Sequence, residues 1–253
     1  MALAADRAGH RVVGLVPGPS GVCAPSLARF SLAHAAIPAS DLLILGVPDD
    51  AIGAVVATLA GVDTGVVCHL SGFTSSEALG PLRSGGRSVG ALHPVQSLPD
   101  PEQGAAALRG SFAAVSGDQP AKELLNEFAR SLGMVPFEIE DAMRAIHHAA
   151  AVAASNFVAA ALVVSRRLAE KAGVPVEAYE GLTSRTIANV AAGGIDALTG
   201  PIARGDMGTV RGQLAAIARE APDLLAPYVA LVKATASLTT HRESIESAVE
   251  AYE

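Results

Sequence analysis

The residues best suited to proton chemistry in this 253-residue chain are its seven histidines. His69 and His93 stand at the ends of the apolar runs "GVVCHLSG" and "RSVGALHP". His148 lies on a long Ala-rich helical pattern, with Ser155 seven residues on and Asn156 next to it. At about 100° per residue, His148 and Ser155 share one helix face about two turns apart, and Asn156 lies about 80° round from His148. Imidazole titrates near neutrality, so it can give or take a proton in a reaction. Polar groups set in an apolar surface must find partners. A substrate in a cleft would supply them; so would an interhelical hydrogen bond or a dimer contact. For His69 and His93 the alternative role is a hydrogen-bonded structural imidazole.

Two irregular stretches belong with these residues. "GVPDD" (Gly46–Asp50) closes an apolar run. Either Asp49 or Asp50 caps the next helix, or the Val47–Pro48 backbone lies along a cofactor; the two readings are compatible. "LTGPIARGD" (Leu198–Asp206) falls between helical patterns. Gly200–Pro201 marks a turn, Asp206 can N-cap the next helix, and Arg204 can pair with Asp206. Other chemistries find no spacing to support them. No H-x-x-x-H or C-x-x-C occurs, so no metal site is expected, and "GFTSSEALG" is not the G-x-S-x-G elbow of a serine hydrolase.

The elements that must position these residues change character along the chain. In the first half, strand patterns alternate with helical ones: "RVVGLV" (Arg11–Val16), "DLLILGVP" (Asp41–Pro48), "GVVCHLSG" (Gly65–Gly72), "RSVGALHP" (Arg87–Pro94), "SFAAVSG" (Ser111–Gly117) and "MVPFEI". Helical patterns fall at 25–36, 49–61, around 75–82, and in "AKELLNEFARSLG". This alternation predicts βαβ units and a doubly wound parallel sheet, and open α/β sheets bind ligands beyond the carboxyl ends of their strands. After Glu140 only helical patterns remain: 141–172, 176–192, 207–219 and 224–252, the last with a break. The expected division is therefore a Rossmann-like α/β domain over residues 1–139 and an all-α domain over 140–253.

The opening, "MALAADRAGHRVVGLVPG", reads as a helix closed by Gly9 and then a strand. In a Rossmann sheet these are the second and third elements. The first strand and its G-x-G-x-x-G loop, which belong at the centre in the order 3-2-1-4-5-6, are missing. A gap between "RVVGLV" and "GVVCHL" would leave buried backbone groups unpaired. Three readings are open: the natural chain starts upstream of Met1, a partner or a rearrangement fills the gap, or the fold is another α/β type. After "VVGLV", the Pro17–Ser20 turn holds neither an acid for an NAD ribose nor an arginine for a 2′-phosphate.

Composition narrows the partners. Half the residues are apolar, 4% are aromatic, and the formal net charge is -7. With no basic cluster, nucleic acid is not an expected partner. Two cysteines, Cys23 and Cys68, are too few for a disulfide framework, and Cys68 reads as a buried, inert thiol. Ala149–Val164 is shorter than the ~18–20 residues of a membrane span and carries Ser155–Asn156 at its middle, so it reads as a core or dimer-interface helix. No secretory pattern opens the chain; the expectation is a cytoplasmic protein.

Taken in order, "AGHRVVGLV", "DLLILGVPDDAI", "HLSG", "GALHPVQSL", "HHAAAVAASNFVAAL" and "ALTGPIARGD" resemble a family of oxidoreductases. Its members carry a Rossmann-like NADP-binding domain joined to a helical domain of unknown function, similar to the C-terminal domain of 6-phosphogluconate dehydrogenase. Pyrroline-5-carboxylate reductase and ketopantoate reductase look like more distant cousins. The resemblance implies a dinucleotide, NADP by preference, between the domains. Val47, Pro48, His69 and Ser71 would line the cofactor side, with His93 at the substrate. Ser155, Asn156 and the stretch holding Thr199, Gly200 and Arg204 would face a small C=O or C=N substrate. His148 or His93 is the candidate proton donor, and Asn156 would orient the substrate. A homodimer through the helical domain is expected. The family's glycine-rich loop has no counterpart here. The alternative is a non-catalytic nucleotide- or metabolite-binding protein that has lost the cofactor loop; a dimerisation module built on the long helix is a third reading.

Overall fold

The continuous apolar runs become the strands of one sheet: β1 (Ser40–Leu45), β2 (Thr64–His69), β3 (Ser88–Val95), β4 (Phe112–Gly117) and β5 (Val135–Glu138), adjacent in that order. The computed structural model describes residues 1–16, 25–30 and 37–252. It divides into two units, Met1–Ser155 and Asn156–Glu253. The sheet lies in the first.

Leu43, Val67 and Val89 pair across β1–β3, as do Leu45, His69 and Ala91. Because side chains alternate along each strand, Val67 and Val89 face one helical layer and Cys68 and Leu92 the other. The first layer is α2 (Ile52–Thr58) with a 3-10 helix over Ser76–Gly85, and it buries Ile52, Val56, Leu79 and Leu82. The second comprises α1 (Ala2–Arg7), α3 (Pro101–Ala107) and α4 (Gln119–Ser131), burying Ala4, Leu108, Leu125 and Phe128. Burying each such aliphatic or aromatic side chain contributes about 1.5–3 kcal/mol. Cys68 is fully buried, and burial pushes its thiol up to about 12. The helices on both faces make the sheet Rossmann-like.

α1 ends as its sequence dictates. Gly9 takes φ +89°, its N–H bonds Asp6 O, and His10 N–H bonds Ala5 O, the paired hydrogen bonds of a glycine-closed helix.

Several expectations are corrected. Arg11–Val16 is not a strand: Leu15 alone forms a bridge. The "GVVCHL" strand has no gap beside it, because "DLLIL" is its direct parallel neighbour through a βαβ connection; sequential strands usually lie adjacent. No strand longer than a bridge pairs with the other edge of β1 among the described residues. The sheet is not wholly parallel, since β4 runs antiparallel to β3, as strands toward the edge of large α/β sheets often do. Residues 25–30 form a 3-10 helix, while Pro17–Ser20, Cys23 and residues 31–36 lie outside the described residues. The helix near 75–82 is 3-10 because Pro81 lacks the N–H an α-helix needs.

The long helical pattern begins as a 3-10 turn (Asp141–Met143) and α5 (Arg144–Val152). It continues through a π-helical turn (Ala153–Phe157) into α6 (Val158–Ala172). The wider π turn rotates later residues off the 3.6-residue period, so the face shared by His148 and Ser155 is not that of an ideal helix. Over Asp141–Ala172 its length and mean hydropathy of 1.6 would allow a membrane crossing, yet only 6% of that window is buried. The expected core packing is therefore not met within the chain. Its start is tied to the sheet by a buried arginine, described below.

In the second unit, α8 (Met207–Glu220), α9 (Leu225–Ala236) and α10 (Arg242–Val249) enclose Val210, Leu214, Val232 and Ile245. α7 (Glu180–Gly193) buries none of its residues. Asp206 caps α8 as expected, accepting from the Thr209 N–H at 3.0 Å and its hydroxyl at 2.7 Å.

Candidate functional site

The carboxyl ends of β1 and β2 and the start of α5 meet around one turn, Ser71–Ser76. The Ser71 hydroxyl donates to Asp49 Oδ2 at 2.7 Å and accepts from the N–H groups of Phe73 and Thr74. The Thr74 hydroxyl also donates to Asp49 Oδ2, at 3.1 Å. Asp49 thus braces the turn; neither it nor Asp50 caps a helix. With one donor and both lone pairs committed, Ser71 offers a ligand its backbone rather than its hydroxyl.

Arg144 and Asp141 hold the turn from the other side. Arg144 is fully buried. Its Nε donates to Thr74 O at 2.7 Å, Nη1 to the Ser116 hydroxyl at 3.0 Å, and Nη2 to Ser71 O. Asp141 accepts from the hydroxyls of Ser116 (2.6 Å), Ser75 (3.1 Å) and Ser76, and from the Ser76 N–H. Burial alone would raise the Asp141 carboxyl, but these hydrogen bonds outweigh it and hold it below its ordinary value. Burial lowers Arg144, and Asp141 and Asp49 oppose that shift.

Above the turn sit three imidazoles. His93 Nδ1 lies 3.1 Å from His147 Nε2, and the His148 ring centroid is 5.9 Å from that of His93. Gly72 makes room for them. A Cβ there would lie 2.6 Å from His148 Cδ2 and 2.8 Å from His93 Nε2, closer than real contacts allow. Burial, then the charges of His147, Arg144 and His148, push His93 down to about 4, against a smaller opposing effect of Asp49. His147 is lowered by burial and by Arg144 and His148. His69 is buried and lowered, chiefly by burial; its Nε2 lies 3.2 Å from Ser75 O, and its Nδ1 has no hydrogen-bond partner among the described residues. Bonding to a carbonyl places the His69 proton on Nε2.

The expected residues fall into two groups. Val47, Pro48, His69, Ser71, His93 and His148 surround this turn in the first unit. Ser155, in the same unit, sits in the π turn and donates to Ala151 O at 2.7 Å. Asn156 opens the second unit, where Gly200 takes φ +100° and its carbonyl accepts from Arg204 N. Thr199 lies in the same irregular stretch and Arg204 is exposed. Asp206 is held below its ordinary value by its two bonds to Thr209, with a smaller contribution from Arg204. Asp141, Arg144 and His147 were missed, and Asp49 was read only as a helix cap. The available signal was "DAMRAIHH", an acid and a base one helical turn apart ahead of paired histidines. Among the described residues, no three His, Cys, Asp or Glu are grouped to hold a metal ion.

Exposed strand-end backbone and imidazoles are what the reactive end of a nicotinamide would meet here. The Gly46–Pro48 backbone ends β1 with Gly46 and Pro48 exposed, and the notch at Gly72 adjoins His93 and His148.

A Rossmann-like sheet followed by a helical region defines the class. Residues 111–235 match the family described as Domain of unknown function (DUF2520). It is 25% identical to protein TM1727 from Thermotoga maritima, with TM-score 0.61 over 83% of this chain and 81% of that one. A Bacteroides fragilis protein named as a candidate NADP oxidoreductase shares 18% identity and TM-score 0.77, over 93% and 92% of the two chains. Pyrroline carboxylate reductase from Plasmodium falciparum, solved with NADP bound, shares 14% identity and TM-score 0.53, over 99% and 91%. The last two likenesses are of fold. No curated protein matches the chain.

Proposed function

We propose that this protein is an NADP-dependent oxidoreductase acting on a small C=O or C=N substrate at the carboxyl end of the sheet. The observation that carries the reading is the Gly72 notch, where two imidazoles meet beside the strand ends of a Rossmann-like sheet. Val47, Pro48 and the Ser71–Gly72 backbone would hold the cofactor's reactive end. A nicotinamide bound there supplies or accepts hydride. His93 Nε2 or the His148 imidazole gives the developing oxygen or nitrogen its proton, and Arg144 and Asp141 keep the turn in place. Asn156, on the long helix, remains the candidate for orienting substrate.

The reading includes a cytoplasmic homodimer. Leu182, Ile187, Val190 and Ile195 of α7 and the turn after it are exposed, as are Leu162 and Val163 of α6. Apolar surface of that kind marks an interaction site, and a second copy of the chain is the proposed partner.

The test is thermal unfolding of the full chain with NADPH, NADH or neither. A ligand at about 100 times its Kd stabilises by roughly 2.7 kcal/mol, so a clear upward shift with NADPH is expected. The Asn156→Ala variant should keep that shift and lose turnover. No shift with either dinucleotide would overturn the reading in favour of a metabolite-binding protein.

A further inference from the structure

His147, which the proposed function leaves without a role, pairs ring to ring with His93. We propose that His147 is the positioning residue for His93: it sets the tautomer that His93 presents at the Gly72 notch and reloads it with a proton from water, both rings staying neutral. The inference rests on the oxidoreductase reading for its substrate and not for its geometry.

A hydrogen bond between two imidazole nitrogens needs one donor and one acceptor. At 3.1 Å, His93 Nδ1 and His147 Nε2 have two such arrangements. When His147 Nε2–H donates, His93 Nδ1 accepts and the His93 proton must sit on Nε2, the nitrogen that faces Gly72. When His93 Nδ1–H donates instead, its Nε2 is bare and can take a proton. The partner ring therefore decides whether the notch meets an acid or a base.

Both outer ends of the pair are open. His69 Nδ1 is the only buried side-chain nitrogen or oxygen without a partner among the described residues. His93 Nε2 and His147 Nδ1, which bond to no described residue, therefore reach solvent. The ionised route is closed from every side. Around His93 stand His147, His148 and Arg144 from the α5 helix, with only Asp49 opposing, and burial adds to their effect. Around His147 stand Arg144 and His148, with the Phe137 ring 5.8 Å away. Both rings thus favour the neutral form, and a neutral pair can pass a proton without creating an imidazolium.

The step balances as follows. A bound reduced nicotinamide would supply hydride to the substrate carbon, and the C=O or C=N π pair would move to oxygen or nitrogen. That atom takes the His93 Nε2 proton. His93 Nδ1 takes the His147 Nε2 proton, and His147 Nδ1 takes one from water, leaving hydroxide to the solvent. Both rings end neutral in the opposite tautomer. After product leaves, the same hops run backward through solvent and reset the pair.

The experiment is nitrogen-15 histidine NMR on the full chain, wild type against His147→Phe and His147→Gln, with the thermal response to NADPH measured on each. In the wild type both rings should be neutral at about pH 7, each in a defined tautomer. His147→Phe should leave His93 a tautomer mixture; His147→Gln, whose amide can still donate to Nδ1, should restore the Nε2–H form. Turnover is read with NADPH and a panel of small aldehydes, ketones and cyclic imines. There both variants should fall about a hundredfold in kcat, the lower range for a lost proton-transfer group, with KM and NADPH stabilisation unchanged. An unaltered His93 tautomer in His147→Phe, or full turnover in His147→Gln, overturns the relay. An NMR-visible pair in a protein that no dinucleotide stabilises overturns the oxidoreductase reading and leaves the pairing intact.

Discussion

Acidification should destabilise this protein through His93. The imidazole ordinarily titrates at 6.5, and in the fold it is pushed down to about 4. As pH falls below 6.5 the unfolded chain takes up a proton that the folded one refuses. Stability is therefore fully present above 6.5 and is lost as pH falls toward about 4. At about 1.4 kcal/mol per pH unit, going from about pH 7 to about pH 5 removes roughly 2 kcal/mol. The ring is only partly buried, and solvent screening trims this to about 1–2 kcal/mol. His69 and His147 are lowered too and act in the same direction, so the measurement must isolate His93. Urea unfolding of wild type and His93→Gln at both pH values does so. The variant has its own stability, but it should lose about 1–2 kcal/mol less on acidification. Equal losses in the two proteins would refute the claim that burial and Arg144 keep His93 neutral.

Arg144→Met removes a buried charge and leaves Thr74 O, Ser71 O and the Ser116 hydroxyl without their donor. Breaking such a network costs about 3–5 kcal/mol, a fall in Tm of roughly 10 °C; a loss under about 1 kcal/mol in a thermal melt would show that the turn is held by something else. Gly72→Ala should cost about 1–3 kcal/mol by overpacking against His93 and His148 and should shift both rings' NMR signals. Unmoved signals would mean that the notch is not tight. Leu182→Glu with Ile187→Glu should convert a dimer to a monomer in sedimentation, without unfolding, because both side chains are exposed in the single chain; an unchanged sedimentation coefficient would rule α7 out of the interface.

What the sequence disclosed, and what it withheld, separates along physical lines. The apolar runs "DLLIL" and "GVVCH" can only be strands covered on both faces, and they are. His69 and His93 are legible because a polar residue at the end of such a run lies where ligands bind. The antiparallel turn of β4 was not legible, since a connection of that length can close either way. Nor was the π turn at Ala153–Phe157, which leaves no compositional mark. His147 was passed over because it lies off the helix face that His148 and Ser155 would share. Arg144 was passed over for a stronger reason: arginine is almost never fully buried, so a lone Arg reads as surface.

Their own burial first, and the Arg144 charge after it, make the site's histidines behave alike. Arg144 adds a fixed positive charge that lowers His69, His93 and His147 together, and each remains the uncharged form of a group that could have been charged. A polar network placed there for structure alone could have been replaced as a whole by apolar residues at little cost. The Arg144 donors reach the very turn whose Gly72 packs against two imidazoles, so the same side chain fixes the backbone there and adds to the burial that favours neutral rings. Chemistry at this notch should accordingly be insensitive to pH across neutrality, where histidine-dependent reactions ordinarily vary. A rate that bends near the ordinary imidazole value would mean that burial and Arg144 do not keep these rings neutral.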